Sequence, residues 1–180
     1  MGLNSLGDDR MLDDLTDGDI ERIKSWLNEA CNITDNDFFK KMIFCWIAFN
    51  VYYGARYLSN NRKKQNQYET VKIRHVLSHT LTESKARGLL NECRSNIDVI
   101  LEKITNAYYK RYKEKYRKAH QEGRFRDAWI EQIILVEQIR NRVFHGGKTY
   151  GNPEYGNREV LLSCSTIILS TLKAIERNLF

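Results

Sequence analysis

Residues 126–148 read Arg-Asp-Ala-Trp-Ile-Glu-Gln-Ile-Ile-Leu-Val-Glu-Gln-Ile-Arg-Asn-Arg-Val-Phe-His-Gly-Gly-Lys. No glycine or proline interrupts 126–145, so the stretch predicts a helix, and Gly146-Gly147 supplies a left-handed stop at its C-terminal end. The last turns carry unusual chemistry. Arg140 is a permanent cation with a fork of donors, Asn141 both donates and accepts, and His145 can move a proton near neutral pH. Asn141 and His145 are i,i+4 and share a face. Arg140 and His145 are five apart, which turns them about 140° from each other on an ideal helix. One helix therefore aims the pair poorly at a single phosphate. Two copies facing each other across a symmetric dimer could aim them well.

Working outward, the chain has a single proline, Pro153, and few glycines before 146. That composition favours helices. Thr16 caps a helix running to about 30. Thr34 or Asp35 opens the next, to about 58, which is apolar nearly all round from Met42 to Tyr53 and is expected to be the most buried. Shorter helices follow near 68–80 and after Thr82. A long helix is expected over about 95–120, broken at Gly123, then the helix to His145 and a last one over about 158–178. No strand pattern or internal repeat is visible. The expectation is an all-α, antiparallel helical bundle of about six helices, four of them (35–58, 95–120, 126–145 and 158–178) forming the core.

The sequence has 180 residues. That suits one domain over 1–180, with 1–15 as a flexible acidic segment. Cys31, Cys45, Cys93 and Cys164 show no CxxC pairing and sit among apolar neighbours. They read as small core residues in a reducing cytoplasm rather than a disulfide framework or zinc site. The polar, acidic start does not read as a secretory signal. The longest apolar run, 42–49, is too short to span a bilayer, which needs roughly 18 residues. Net charge is +6 and the isoelectric point about 9.1, compatible with an anionic partner. Acidic residues gather at 8–21 and basic ones at 108–118.

An earlier segment reads Trp46-Ile47-Ala48-Phe49-Asn50-Val51-Tyr52-Tyr53, about 90 residues before Arg140. Together, Trp-Ile-Ala-Phe-Asn followed by an aromatic and Arg-Asn-x-x-Phe-His-Gly-Gly-Lys resemble the motifs of the HEPN superfamily. The resemblance spans most of the chain. It implies an all-helical, usually dimeric fold and a metal-independent endoribonuclease needing no cofactor, often a toxin or defence component paired with an antitoxin protein. It also implies roles. His145 would be general acid or base, Arg140 would stabilise phosphoryl charge, and Asn141 would position the phosphate or the His145 ring. The 2′-OH would attack the adjacent phosphodiester, giving a 2′,3′-cyclic phosphate and a 5′-OH. Some members of the superfamily have lost catalysis and bind RNA, a nucleotide or a protein instead. One branch carries a regulatory Tyr two residues after the His. Gly147 stands there in this chain, which makes that regulation doubtful.

Other residues have plainer readings beside the functional one. Arg74-His75-Val76-Leu77-Ser78-His79 repeats the Arg-polar-x3-His spacing. It lacks the Gly-Gly stop, and Val76 stands where a zinc helix needs Glu. A partly exposed polar face is the expectation there. Between 108 and 118 aromatics and cations interleave. Ile97, Leu101, Ile104, Tyr108, Tyr112 and Tyr116 follow one helical stripe, with Lys110, Lys113 and Arg117 on another face as a candidate phosphate track. Arg62, Lys63 and Lys64 are a weaker case of the same kind, and Arg142 and Lys148 flank the expected cleft. Asn50 interrupts an apolar helix and needs hydrogen-bond partners, either within the bundle or in ordering Arg140 or Asn141. Glu137, i,i+3 to Arg140 and i,i+4 to Asn141, is a candidate to orient Arg140, or one more surface pair.

Overall fold

The computed structural model describes residues 15–60, 68–145, 157–176 and 179. Most of the acidic start, the basic residues Arg62, Lys63 and Lys64, and Gly146, Gly147 and Lys148 lie outside the described residues. Every regular element among those described is helical, and none of the helices is long and apolar enough to cross a membrane.

The first helix, α1 (Asp17–Asn32), begins at a capping box. The Thr16 hydroxyl accepts the Asp19 amide at 3.2 Å and the Asp19 carboxylate accepts the Thr16 amide at 3.3 Å, so two orphan donors of the first turn are satisfied reciprocally. Its apolar face, with Ile23, Leu27 and Ala30, packs on α2 (Phe38–Asn60). Next come α3 (Glu69–Thr80) and α4 (Glu83–Glu92), the latter capped by the Thr82 hydroxyl.

The expected helix over 95–120 is two helices, α5 (Arg94–Lys103) and α6 (Lys110–Gln121), separated by a 3-10 turn at Ala107–Tyr109. The break has a local cause. The Asn106 side chain accepts the Tyr108 amide at 2.9 Å, a capping interaction that competes with helix continuation. On the other side, the Lys113 ammonium donates to the Leu101 carbonyl at 2.6 Å and to that of Ile104, closing the end of α5. The register resets across the turn, so the apolar stripe does not run through it. Tyr109, outside the expected stripe, is fully buried, while Tyr108, inside it, is exposed. This split contributes to a total of eight α-helices among the described residues.

Gly123, at φ 70°, supplies the left-handed turn from α6 into α7 (Phe125–His145), a conformation that costs glycine little. These two helices form a hairpin packed along each other. The last helix, α8 (Arg158–Ile175), starts at the Asn157 cap and packs on α2, α5, α4 and α7. The buried apolar residues form one contiguous cluster from Ile23 to Leu179.

The most buried run is not in α2 but in α7, where every residue from 128 to 137 is buried. Packing explains the difference. α3, α4, α6 and α8 all lie against α7, whereas α2 leaves Ile43, Ile47 and Val51 half-buried and Asn50 exposed. Some polar groups carried inward on α7 and α8 find partners, while both ends of the buried Gln132 amide find none among the described residues. Glu131 pairs with Arg74 at 2.7 Å, and the Trp129 indole donates to Thr171 at 3.2 Å. Cys45, Cys93 and Cys164 are buried as expected, but Cys31 is exposed. Burial pushes the Cys45 thiol up to about 12, which leaves it inert at neutral pH.

Candidate functional site

The end of α7, the start of α3 and the 3-10 turn at Ala107–Tyr109 meet above α2. Between them lies an open groove of about 640 Å³, lined by residues of all three, Arg140, Asn141 and Arg142 among them.

Arg140 is held on every side. Its guanidinium lies 4.9 Å from the Trp46 ring centroid and 5.6 Å from that of Phe144. One of its terminal nitrogens donates to the Asn141 side-chain oxygen at 2.5 Å and approaches the Glu69 carboxylate at 3.4 Å. Its side chain keeps 17% of its surface exposed. A cation held this way is preorganised, because aromatic faces and a carboxylate fix its plane before any ligand arrives.

Behind it sits a second carboxylate. Glu137 is 3% exposed and accepts from the Asn141 amide at 2.6 Å, from the Thr70 hydroxyl at 3.2 Å and from the Gln138 amide. Burial raises its pKa above the ordinary carboxylate value, and the nearby negative charge of Glu69 adds to the rise, against the three donors. Asn141 therefore bridges Glu137 to Arg140 with both ends of its amide. Glu69 has its own support. The Tyr53 hydroxyl donates to it, and the Asn50 amide reaches it at 3.5 Å. Burial and that bond to Glu69 push the Tyr53 phenol far above the ordinary range.

The residues singled out in the sequence separate into groups. Arg140, Asn141, Glu137 and Arg142 are brought together at the groove. Asn50 is exposed, not enclosed by the bundle, and bears on Arg140 only through Glu69. His145 closes α7; its side chain, like Lys148, lies outside the described residues. Lys110 and Arg117 are exposed on α6, with Lys110 3.9 Å from Glu114. Lys113 is half-exposed, and its ammonium donates to the carbonyls of Leu101 and Ile104 at the end of α5. The alternative copy of the motif is engaged within the fold. Arg74 pairs with Glu131, and the His79 ring contacts the His75 carbonyl at 2.7 Å. No group of three potential metal ligands exists among the described residues.

Sequence reasoning missed Glu69, Thr70 and Gln138 at the site; it put Tyr108 on one helical stripe with Tyr112 as core or groove lining, and Tyr108 lines the groove from the 3-10 turn. A weak signal for Glu69 existed, since it is an acidic residue in the first turn of α3, a few positions after the basic run Arg62-Lys63-Lys64. Nothing in the spacing connected it to Arg140. No family model matches the chain, and no match to it was found among the curated proteins or the solved structures.

Proposed function

We propose that this chain is a HEPN-type endoribonuclease that cleaves single-stranded or loop RNA without a metal ion, and that the groove at the end of α7 is its active site. The observation that carries the reading is the contact of Arg140 with Trp46. The resemblance rests on two motifs far apart in sequence, and their most distinctive side chains meet in one site. In this reading Arg140 stabilises the charge that develops on the phosphoryl oxygens. Glu137 and Asn141 act as positioning residues for Arg140. His145, one turn further on, moves the proton to or from the 2′-OH or the leaving 5′-oxygen. The 2′-oxygen bonds to phosphorus as the bond to the 5′-oxygen breaks, leaving a 2′,3′-cyclic phosphate and a 5′-OH.

The divergence of Arg140 and His145 around α7 favours a composite site, with the His of one protomer serving the Arg of another. Half-buried apolar side chains beside the site support a second copy on that face. Phe39, Ile43 and Ile47 lie at i, i+4 and i+8 on α2 and stay half-buried, and Phe39 packs 5.5 Å from Phe144. Cleavage of RNA in EDTA tests the activity. Mixing Arg140→Ala with His145→Ala protein tests the composite site, since subunit exchange then restores one intact pair.

A second reading, a non-catalytic module that binds RNA, a nucleotide or a protein, draws on the two carboxylates. Glu69 and Glu137 already occupy donors of Arg140 and Asn141, so an anion must compete for them. A cellular role as a toxin or defence component, with an antitoxin partner, belongs to the same proposal as the resemblance.

A further inference from the structure

Among the described residues only three large hydrophobic side chains are exposed, Tyr68 at 83%, Val71 at 43% and Tyr108 at 40%. Two of the three, Tyr68 and Tyr108, line the groove that holds Arg140. They come from separate elements, Tyr68 from the N-cap of α3 and Tyr108 from the 3-10 turn before α6. The other tyrosines near this turn are turned inward, Tyr109 at 0% and Tyr112 at 8%. Exposure of aromatic rings is therefore concentrated at one place, where a cation also stands.

Tyr108 is fixed as well as exposed. Its hydroxyl donates to the Gln138 side-chain oxygen at 2.7 Å, and its ring packs edge-on to Tyr109 with centroids 5.1 Å apart. The Arg142 guanidinium lies 4.6 Å from its centroid. A flat aromatic ring, a stacked guanidinium and a second exposed ring are surfaces on which unstacked bases settle. The register with the phosphate site is close. Tyr68 directly precedes Glu69, the carboxylate at Arg140, and Arg142 is two residues beyond Arg140 on α7.

We infer that Tyr68, Tyr108 and Arg142 form a nucleobase subsite, which stacks an unpaired base of single-stranded RNA next to the phosphate held at Arg140. This rests on the reading of the groove as an RNA site and adds to it a base-binding element that selects unpaired over duplex RNA. Stacking uses the π-face, which every base has, so the subsite tolerates sequence and demands an exposed base.

The test uses a short, fluorescently labelled 2′-O-methyl oligoribonucleotide, which lacks the attacking hydroxyl and so reports binding alone. Anisotropy titrations compare the intact strand with strands carrying one abasic position each, against wild type, Tyr68→Ala, Tyr108→Ala, Tyr108→Phe and Val71→Ala. The expected result is an affinity loss of about 5- to 150-fold for one abasic position with wild type. Tyr68→Ala and Tyr108→Ala should show a similar loss on the intact strand and no further loss at that abasic position. Val71→Ala, outside the groove, should bind as wild type does, and Tyr108→Phe, which keeps the ring but loses the bond to Gln138, should lose less affinity than Tyr108→Ala. Tyr68 is so exposed that its truncation tests the subsite without a folding penalty. If wild type binds the strand but abasic substitution or the two Ala changes make no difference, the subsite is overturned and the RNA site stands. If wild type binds no strand at all, both fall together.

Discussion

The Arg140 guanidinium stacks 4.9 Å from the ring of Trp46, a side chain that is itself 2% exposed and part of the core. The position of the proposed catalytic cation is thereby tied to the packing of α2. A cation–π contact of this kind contributes about 0.5–2 kcal/mol, more when desolvated. Trp46→Leu, which keeps an apolar filler and removes the aromatic face, should lower kcat/KM for RNA a few-fold to about thirtyfold, the rate equivalent of that range. Trp46→Phe should retain most of the activity. Denaturant melts of both variants separate this effect from a loss of folded protein.

Glu69 pulls in two directions. It pairs with Arg140, and in the proposed function it puts a negative charge where the RNA phosphate would approach. Glu69→Gln should therefore lower KM and lower kcat together. The pair is partly exposed and worth at most about 1 kcal/mol, so each change should be about fivefold or less. Steady-state kinetics on a single-stranded substrate check both parameters.

Glu137 makes stability depend on pH with a defined sign. Burial raises its pKa in the folded protein above the ordinary value of 4.5. The folded state then binds a proton that the unfolded state has released. The stabilising contribution is complete below the unfolded value and is lost as pH rises through the folded one. Glu137→Gln should remove this slope, so its stability relative to wild type should improve from acid toward neutral pH. Urea melts across that window give the comparison.

On α6 the cations should separate by role. Lys113→Ala removes donors from the carbonyls of Leu101 and Ile104 and should cost about 1–2 kcal/mol of stability while leaving RNA affinity unchanged. Lys110→Ala and Arg117→Ala should leave stability unchanged. If they touch phosphates, each should flatten the log–log salt dependence of binding by roughly 0.7.

Much of the helical layout was legible because its signals are local. Thr16 and Thr82 mark their caps, and Gly123 its turn. Two errors came from what apolar periodicity does not register. The 95–120 segment reads as continuous on periodicity alone, yet Asn106 and the returning Lys113 ammonium close α5 early. Helix α2 reads as the most apolar, yet α7, with α3, α4, α6 and α8 against it, carries the longest buried run. At the site, Arg140, Asn141 and Glu137 were visible because they lie on one helix. Glu69 and Thr70 were not, because only the fold brings α3 against the end of α7.

The account stands most directly on one measurement, cleavage of single-stranded RNA by purified protein in EDTA, with the product ends identified. Wild type should yield 2′,3′-cyclic phosphate and 5′-OH ends. His145→Ala and Arg140→Ala, both folded, should each lose on the order of 10²–10⁴ in rate, and His79→Ala should cleave as wild type does. Cleavage that persists in His145→Ala but vanishes in His79→Ala, or a folded wild type that leaves RNA intact, would contradict it.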